Sequence, residues 1–205
     1  MRLYEAVEKH WDGIPEGPLH ADVLDSFTRS YAFSSEQAEE GIRSLLKDGN
    51  VVHAVQLAGA MHCAVVAPDL ADLLGKPQTH TERVYTILAV GDLEYAEAYC
   101  RVSSFLGTEY ERQAMIALAE LDLDRTIPLI CERVGRGLPW FAEISVRVLE
   151  RRGYDGLREY VKKLSDDARY VLGERLGFYD YLAGNVLSAM ELLALHELCG
   201  VSGVN

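Results

Sequence analysis

The segments "ERVYTILAVGDLEYAEAYC", from Glu82, and "ERQAMIALAELDLDRTIPLIC", from Glu111, repeat one pattern. Each opens on Glu-Arg, sets a leucine (Leu88, Leu118) ahead of an Asp-Leu pair (Asp92-Leu93, Asp122-Leu123) and closes on a cysteine. A third copy, "AEISVRVLERRGYDGLREYV" from Ala142, keeps a two-helix outline with Gly153 at its turn. A looser fourth begins at Ala168. A period of about thirty residues with two helices per copy constrains the fold strongly, because each copy can bury its apolar face only against a neighbour. The competing outline is a non-repeating helical bundle.

The preceding residues follow different signals. Leu3, Val7 and Trp11 recur every fourth position and predict a short helix, which "DGIPEGP" ends. Val23, Leu24, Phe27 and Tyr31 predict a second. A third begins at Ser34, which can cap it while Gln37 returns the bond. Ala38, Ile42, Leu45 and Leu46 form its apolar stripe, and Gly49 stands where a left-handed stop belongs. "VVHAVQ" and "AMHCAVVA", joined across "LAGA", then read as a β-hairpin. The polar segment 75–81, "GKPQTHT", reads as a linker between a domain at 1–74 and a helical-repeat domain at 82–205.

Three helices and a hairpin in this order, carried by "SSEQAEEGIRSLLKDGNVV", resemble the winged helix-turn-helix family. The resemblance implies a recognition helix at Ser34–Lys47 and a wing built by the hairpin. The later copies look like short HEAT repeats. Tetratricopeptide repeats are the alternative, because of "GYDGL" and "GDLEYA". The expected fold class is therefore mainly α: a winged helix followed by a solenoid-like repeat domain.

Charge then bears on partners. The chain carries a formal −12. Residues 1–74 hold five Lys/Arg against twelve Asp/Glu, a net of −7, so the half resembling a DNA reader is the more acidic one. A DNA-reading helix is held on phosphates by basic side chains. Here the outward positions include Glu36, Glu39 and Glu40, with Arg43 and Lys47 as the only cations. The carboxylates suit the positive end of the helix dipole, and they disfavour nucleic acid.

Other candidate sites each have an ordinary counterpart. His53 and His62 fall on one face of the expected hairpin, where two imidazoles could sense pH, but no third metal ligand follows from spacing. Arg133, Arg136, Arg147, Arg151, Arg152, Arg158, Lys162 and Lys163 lie in a window, 133–175, with a local net of +3. They form either a basic patch or a solvated face of i,i+4 ion pairs. In "VLSAMELLALHEL", Leu192 and Leu195 extend apolar surface onto flanking positions, which predicts a homodimer through the C-terminal helix or burial beneath "RYVLGERLGFYDYL". His196-Glu197 is a single pair, whereas HEAT-like metal hydroxylases use several. Trp140 and Asp155 are the only candidates for chemistry of the HEAT-like DNA glycosylase kind.

No GxSxG, Walker A, GxGxxG or cysteine–histidine metal spacing occurs, and the four cysteines are dispersed. No apolar run is long enough to span a membrane. These observations predict a cytoplasmic, non-enzymatic adaptor or assembly factor, with no cofactor, that binds protein through an acidic winged helix and a repeat surface. A DNA-binding regulator with a helical dimerisation domain is the alternative. An enzyme on a HEAT-like scaffold ranks third.

Overall fold

A computed structural model describes residues 2–11, 13, 17–134, 140–173 and 189–200. Among them there are helices and turns and no β-strand. The chain forms two compact units, Met1–Leu121 and Asp122–Asn205. The first contains α1 (Leu3–His10), α2 (Ala21–Ser30), α3 (Ser35–Lys47), α4 (Val51–Ala60), α5 (Ala67–Leu73), α6 (His80–Asp92), α7 (Tyr99–Ser103) and α8 (Glu111–Leu121). The second contains α9 (Leu123–Arg133), α10 (Trp140–Lys163), α11 (166–173) and α12 (Ala189–Leu198).

The third helix forms as its residues dictate. The Gln37 N–H donates to Ser34 Oγ at 3.2 Å, and the Ser34 N–H donates to Gln37 Oε1 at 3.0 Å. Ala38, Ile42 and Leu45 are buried along one stripe. Its stop is a Schellman turn: Gly49 adopts φ 80°, its N–H donates to Leu46 O, and the Asn50 N–H reaches back to Leu45 O.

The expected hairpin does not exist, and with it goes the winged helix. "VVHAVQLAGA" is α4, and "APDLADL" is α5. The reason is burial. α4 packs against α2, α3 and α6, so His53, Ala54, Val55, Leu57 and Ala58 are all buried. A short helix enclosed on several sides keeps no polar face, and its apolar run cannot be told from a buried strand by periodicity. The end of α4 was equally hard to read. It closes on the same Schellman geometry as α3, but the left-handed residue is His62, with φ 48°. His62 donates to Gly59 O and Cys63 to Ala58 O.

The same closure occurs a third time after α6. There Glu94 has φ 53°, its N–H donates to Gly91 O, and the Tyr95 N–H donates to Val90 O. Both non-glycine turns continue through one turn of 3-10 helix, Ala64–Val66 or Ala96–Ala98, into the short helices α5 and α7. The backbone motif of α4–α5 thus recurs in α6–α7, beginning earlier in the chain than the sequence repeat at Glu82.

The expected linker lies inside the first unit. Thr79 caps α6 with Glu82, Arg83 donates back to the Leu74 and Lys76 carbonyls, and Gln78 Nε2 donates to Thr86 Oγ1 at 2.9 Å. Both α4 and α5 pack on α6. α6 and α8 approach so closely that a Cβ at Gly91 would lie 2.7 Å from Ala117 Cα, a contact only glycine permits.

In the second unit, Asp122 Oδ1 accepts from the Arg125 N–H and caps α9. Pro128 lies inside that helix, away from its first turn. Gly153, with φ 65° and ψ −172°, breaks α10 at the position read as a turn. Trp140, Ile144, Leu157, Tyr160 and Val161 are buried, and α12 packs on α10. Lys163 Nζ meets Asp124 Oδ1 at 2.6 Å and ties the end of α10 to α9.

Candidate functional site

With one stripe of α3 buried, the opposite face turns outward and separates two grooves in the first unit. On its α1 side, Gln37, Glu40, Gly41, Ser44 and Asp48 join Arg2, Tyr4 and Glu5 around a groove of about 190 Å³. Arg2 Nε is paired with Glu5 at 3.1 Å, which leaves Glu40 and Asp48 as that groove's excess charge. The Tyr4 phenol is held above its ordinary pKa by desolvation first, and then by the Glu8 and Asp48 carboxylates.

The α5 side differs in sign. Arg43, Leu46, Lys47, Asp69, Asp72, Leu73 and Lys76 line an open groove of about 320 Å³. Arg43 Nε donates to Asp69 Oδ2 at 2.9 Å, and the same guanidinium pairs with Glu39. Asp72 is bound by Arg101 of α7 at 2.6 Å. Both carboxylates of this groove are therefore engaged by arginine. Lys47 and Lys76 are exposed, and among the described residues neither has an ion-pair partner. Exposed pairs such as Arg43–Asp69 add little stability, about 0–1 kcal/mol each. What they do is occupy Arg43.

The structure thus divides the residues grouped by sequence on the third helix. Glu40 belongs to the acidic groove, Arg43 and Lys47 belong to the other, and Glu36 is exposed in the first turn of α3. Tyr4, Asp69, Asp72 and Lys76 were missed. The i,i+3 spacing of Asp69 and Asp72 was a usable signal, but only once α5 had been read as a helix.

The two histidines share no face. His53 is 5% exposed in the middle of α4, its Nε2 2.9 Å from Gly17 O. Beside it, Gln56 clasps the Leu19 backbone, accepting from its N–H at 2.9 Å and donating to its carbonyl at 2.8 Å. These contacts fasten the α1–α2 connection onto α4. Burial pushes the His53 imidazole below its ordinary pKa, against a smaller opposing effect of the Gly17 bond. His62 is exposed at the turn after α4. No three His, Cys, Asp or Glu side chains among the described residues stand close enough to hold a metal ion.

In the second unit the basic window is substantially paired. Arg133 meets Glu132 at 3.3 Å, Lys162 meets Glu159 at 2.6 Å, and Lys163 meets Asp124. Arg147 is half-buried and engaged, Arg151 is exposed and engaged, and Arg152 and Arg158 are exposed. Arg136 lies outside the described residues. Leu195 is fully buried, so the apolar surface expected there is covered; the Leu192 side chain lies outside what is described. Trp140 is 1% exposed and belongs to the core, and Asp155 is exposed. No described helix is long and apolar enough to cross a membrane.

Comparison with protein-family models, curated proteins and solved structures yielded no match to this chain. The likeness to HEAT or tetratricopeptide repeats rests on residue pattern alone.

Proposed function

We propose that this protein is a non-enzymatic adaptor or assembly factor that contacts partner proteins through the outward face of α3 and its two flanking grooves. The observation that carries this reading is the commitment of Arg43 to Glu39 and Asp69. It offsets the charge of the strongest phosphate-binding group of α3 with two carboxylates, on a surface that already opens with Glu36, Glu39 and Glu40. A helix so equipped repels a phosphate backbone, whereas protein surfaces tolerate and exploit mixed charge. A cytoplasmic location, and a repeat surface in the second half offering further contacts, belong to the same proposal.

Photo-crosslinking amino acids placed at Glu36, Glu40 and Lys47 of the full chain test it in lysate of the source cells. Controls carry the same group at Asp22 and Ser26, exposed on α2. Discrete protein adducts confined to the α3 positions are expected. Labelled random duplex, titrated in parallel at physiological salt, should show no binding at micromolar protein. Duplex binding, or adducts equal at all five positions, would overturn the reading.

A further inference from the structure

We infer that the α3–α5 groove receives an acidic peptide segment of a partner protein, with one apolar side chain seated between carboxylates. This deepens the adaptor reading and rests on it. The groove is an electrostatic exception. In a chain of net −12 its lining carries three cations against two carboxylates. Asp69 and Asp72 are paired with Arg43 and Arg101, and Glu39 shares Arg43. With Lys47 and Lys76 these residues keep a net charge of +1, and the two lysines are the cations left to meet a ligand.

The two lysines come from different parts of the chain, the last turn of α3 and the turn after α5. The Lys76 backbone is anchored by Arg83, which donates to its carbonyl at 2.8 Å. Leu46 and Leu73, both half-buried, supply apolar surface in the same groove. Two ammonium groups with apolar surface beside them complement an extended or helical segment of the form acid–apolar–acid. Burial of Ile42 and Leu45 on α3 and of Ala67, Leu70 and Ala71 on α5 fixes the walls of the groove, which the ion pairs Arg43–Asp69 and Asp72–Arg101 bridge, so the surface is formed before any ligand arrives.

A long polyanion fits less well than a short peptide. Nucleic acid would extend beyond the groove onto a surface that is acidic on the α1 side of the same helix, where Glu40 and Asp48 stand. A second copy of this chain would have to present an acidic, apolar segment of its own, and that becomes an outcome to test.

The experiment is selection of a random twelve-residue peptide display library on the full-length protein. Enriched peptides are then synthesised with a fluorescent label and titrated by anisotropy. Selected sequences should be rich in Asp and Glu around Leu, Ile or Phe. Lys47→Glu with Lys76→Glu should weaken binding by roughly tenfold or more, since two exposed charge contacts become repulsions. Circular dichroism of that variant must match the parent, which exposed positions allow. Leu46→Ser provides a second variant acting on the apolar contact without changing charge, and it should also weaken binding.

Peptides without acidic enrichment, or acidic peptides indifferent to these substitutions, sink the proposal. So would labelled duplex binding that the lysine variant abolishes, which would reassign the groove to nucleic acid. Concentration-dependent self-association removed by the same variant would give the groove to a second copy instead. Failure here with intact crosslinking at Glu36 and Glu40 would leave the adaptor reading standing on the acidic side. Loss of both would end it.

Discussion

α3 and α4 are consecutive helices that end in the same backbone geometry, yet one is legible in the sequence and the other is not. α3 buries one stripe, shows its other side to water, begins at a Ser-Gln capping box and stops at a glycine. α4 is enclosed by α2, α3 and α6, has no side-chain cap and stops at a histidine. The lesson concerns what writes a helix end. Where solvent borders the element, local residues must specify its limits. Where neighbours enclose it, packing can specify them and the local code is free to lapse.

The largest expected effect comes from attacking that packing. Leu57→Ala removes a fully buried side chain of α4 and should cost about 2–5 kcal/mol, read as a lower midpoint in urea. If the loss is under about 1 kcal/mol, α4 is not the enclosed helix described here. The turns come next. Gly49→Ala meets open space but keeps φ 80°, so it should cost about 1–2 kcal/mol from backbone strain alone. Ser34→Ala removes the α3 cap and should cost about 1 kcal/mol, whereas α4 has no equivalent residue to remove. His62→Gly should act in the opposite direction, raising stability by up to about 1 kcal/mol by relieving its left-handed strain. A loss at His62→Gly would mean that the imidazole itself holds the turn.

Proton linkage gives the smallest and most specific contrast. α4 buries a titratable group, His53, whose folded pKa lies below its ordinary value of 6.5. The unfolded chain therefore binds the proton more readily. Stability is fully present above about pH 6.5 and falls as pH drops through the depressed pKa. His53→Gln keeps a donor for Gly17 O without titrating, and should flatten this part of the stability–pH curve. Protection of the Leu19 amide, its exchange measured against the intrinsic rate at each pH, should fall with acidification in the parent and not in the variant, since its N–H is held by Gln56 beside His53.

The candidate surface divides along the same line as the two helices. Glu36, Glu40, Arg43 and Lys47 were legible because α3 is amphipathic and its outward positions can be counted. Lys76, Asp69 and Asp72 were not, because they follow a segment misread as strand, and a strand places alternate residues on opposite faces. The misreading moved His53 as well. On a hairpin it shares a face with His62, and on a helix it enters the core. The basic window was legible in part. Lys162–Glu159 and Arg133–Glu132 are local pairs that the sequence can supply, whereas Lys163 meets Asp124, a carboxylate far away in sequence.

What the sequence determined alone is what short-range chemistry decides. It includes the capping box at Ser34, the left-handed stop at Gly49, the break at Gly153 and a net charge hostile to polyanions. Each depends on residues within a turn of one another, or on a sum over the chain. What tertiary structure alone decided is whether "VVHAVQLAGA" would be strand or helix, and which side chains meet in the α3–α5 groove. An apolar run satisfies the hydrophobic effect equally well in either secondary structure. Only the neighbours that enclose it, α2, α3 and α6, select the one that packs.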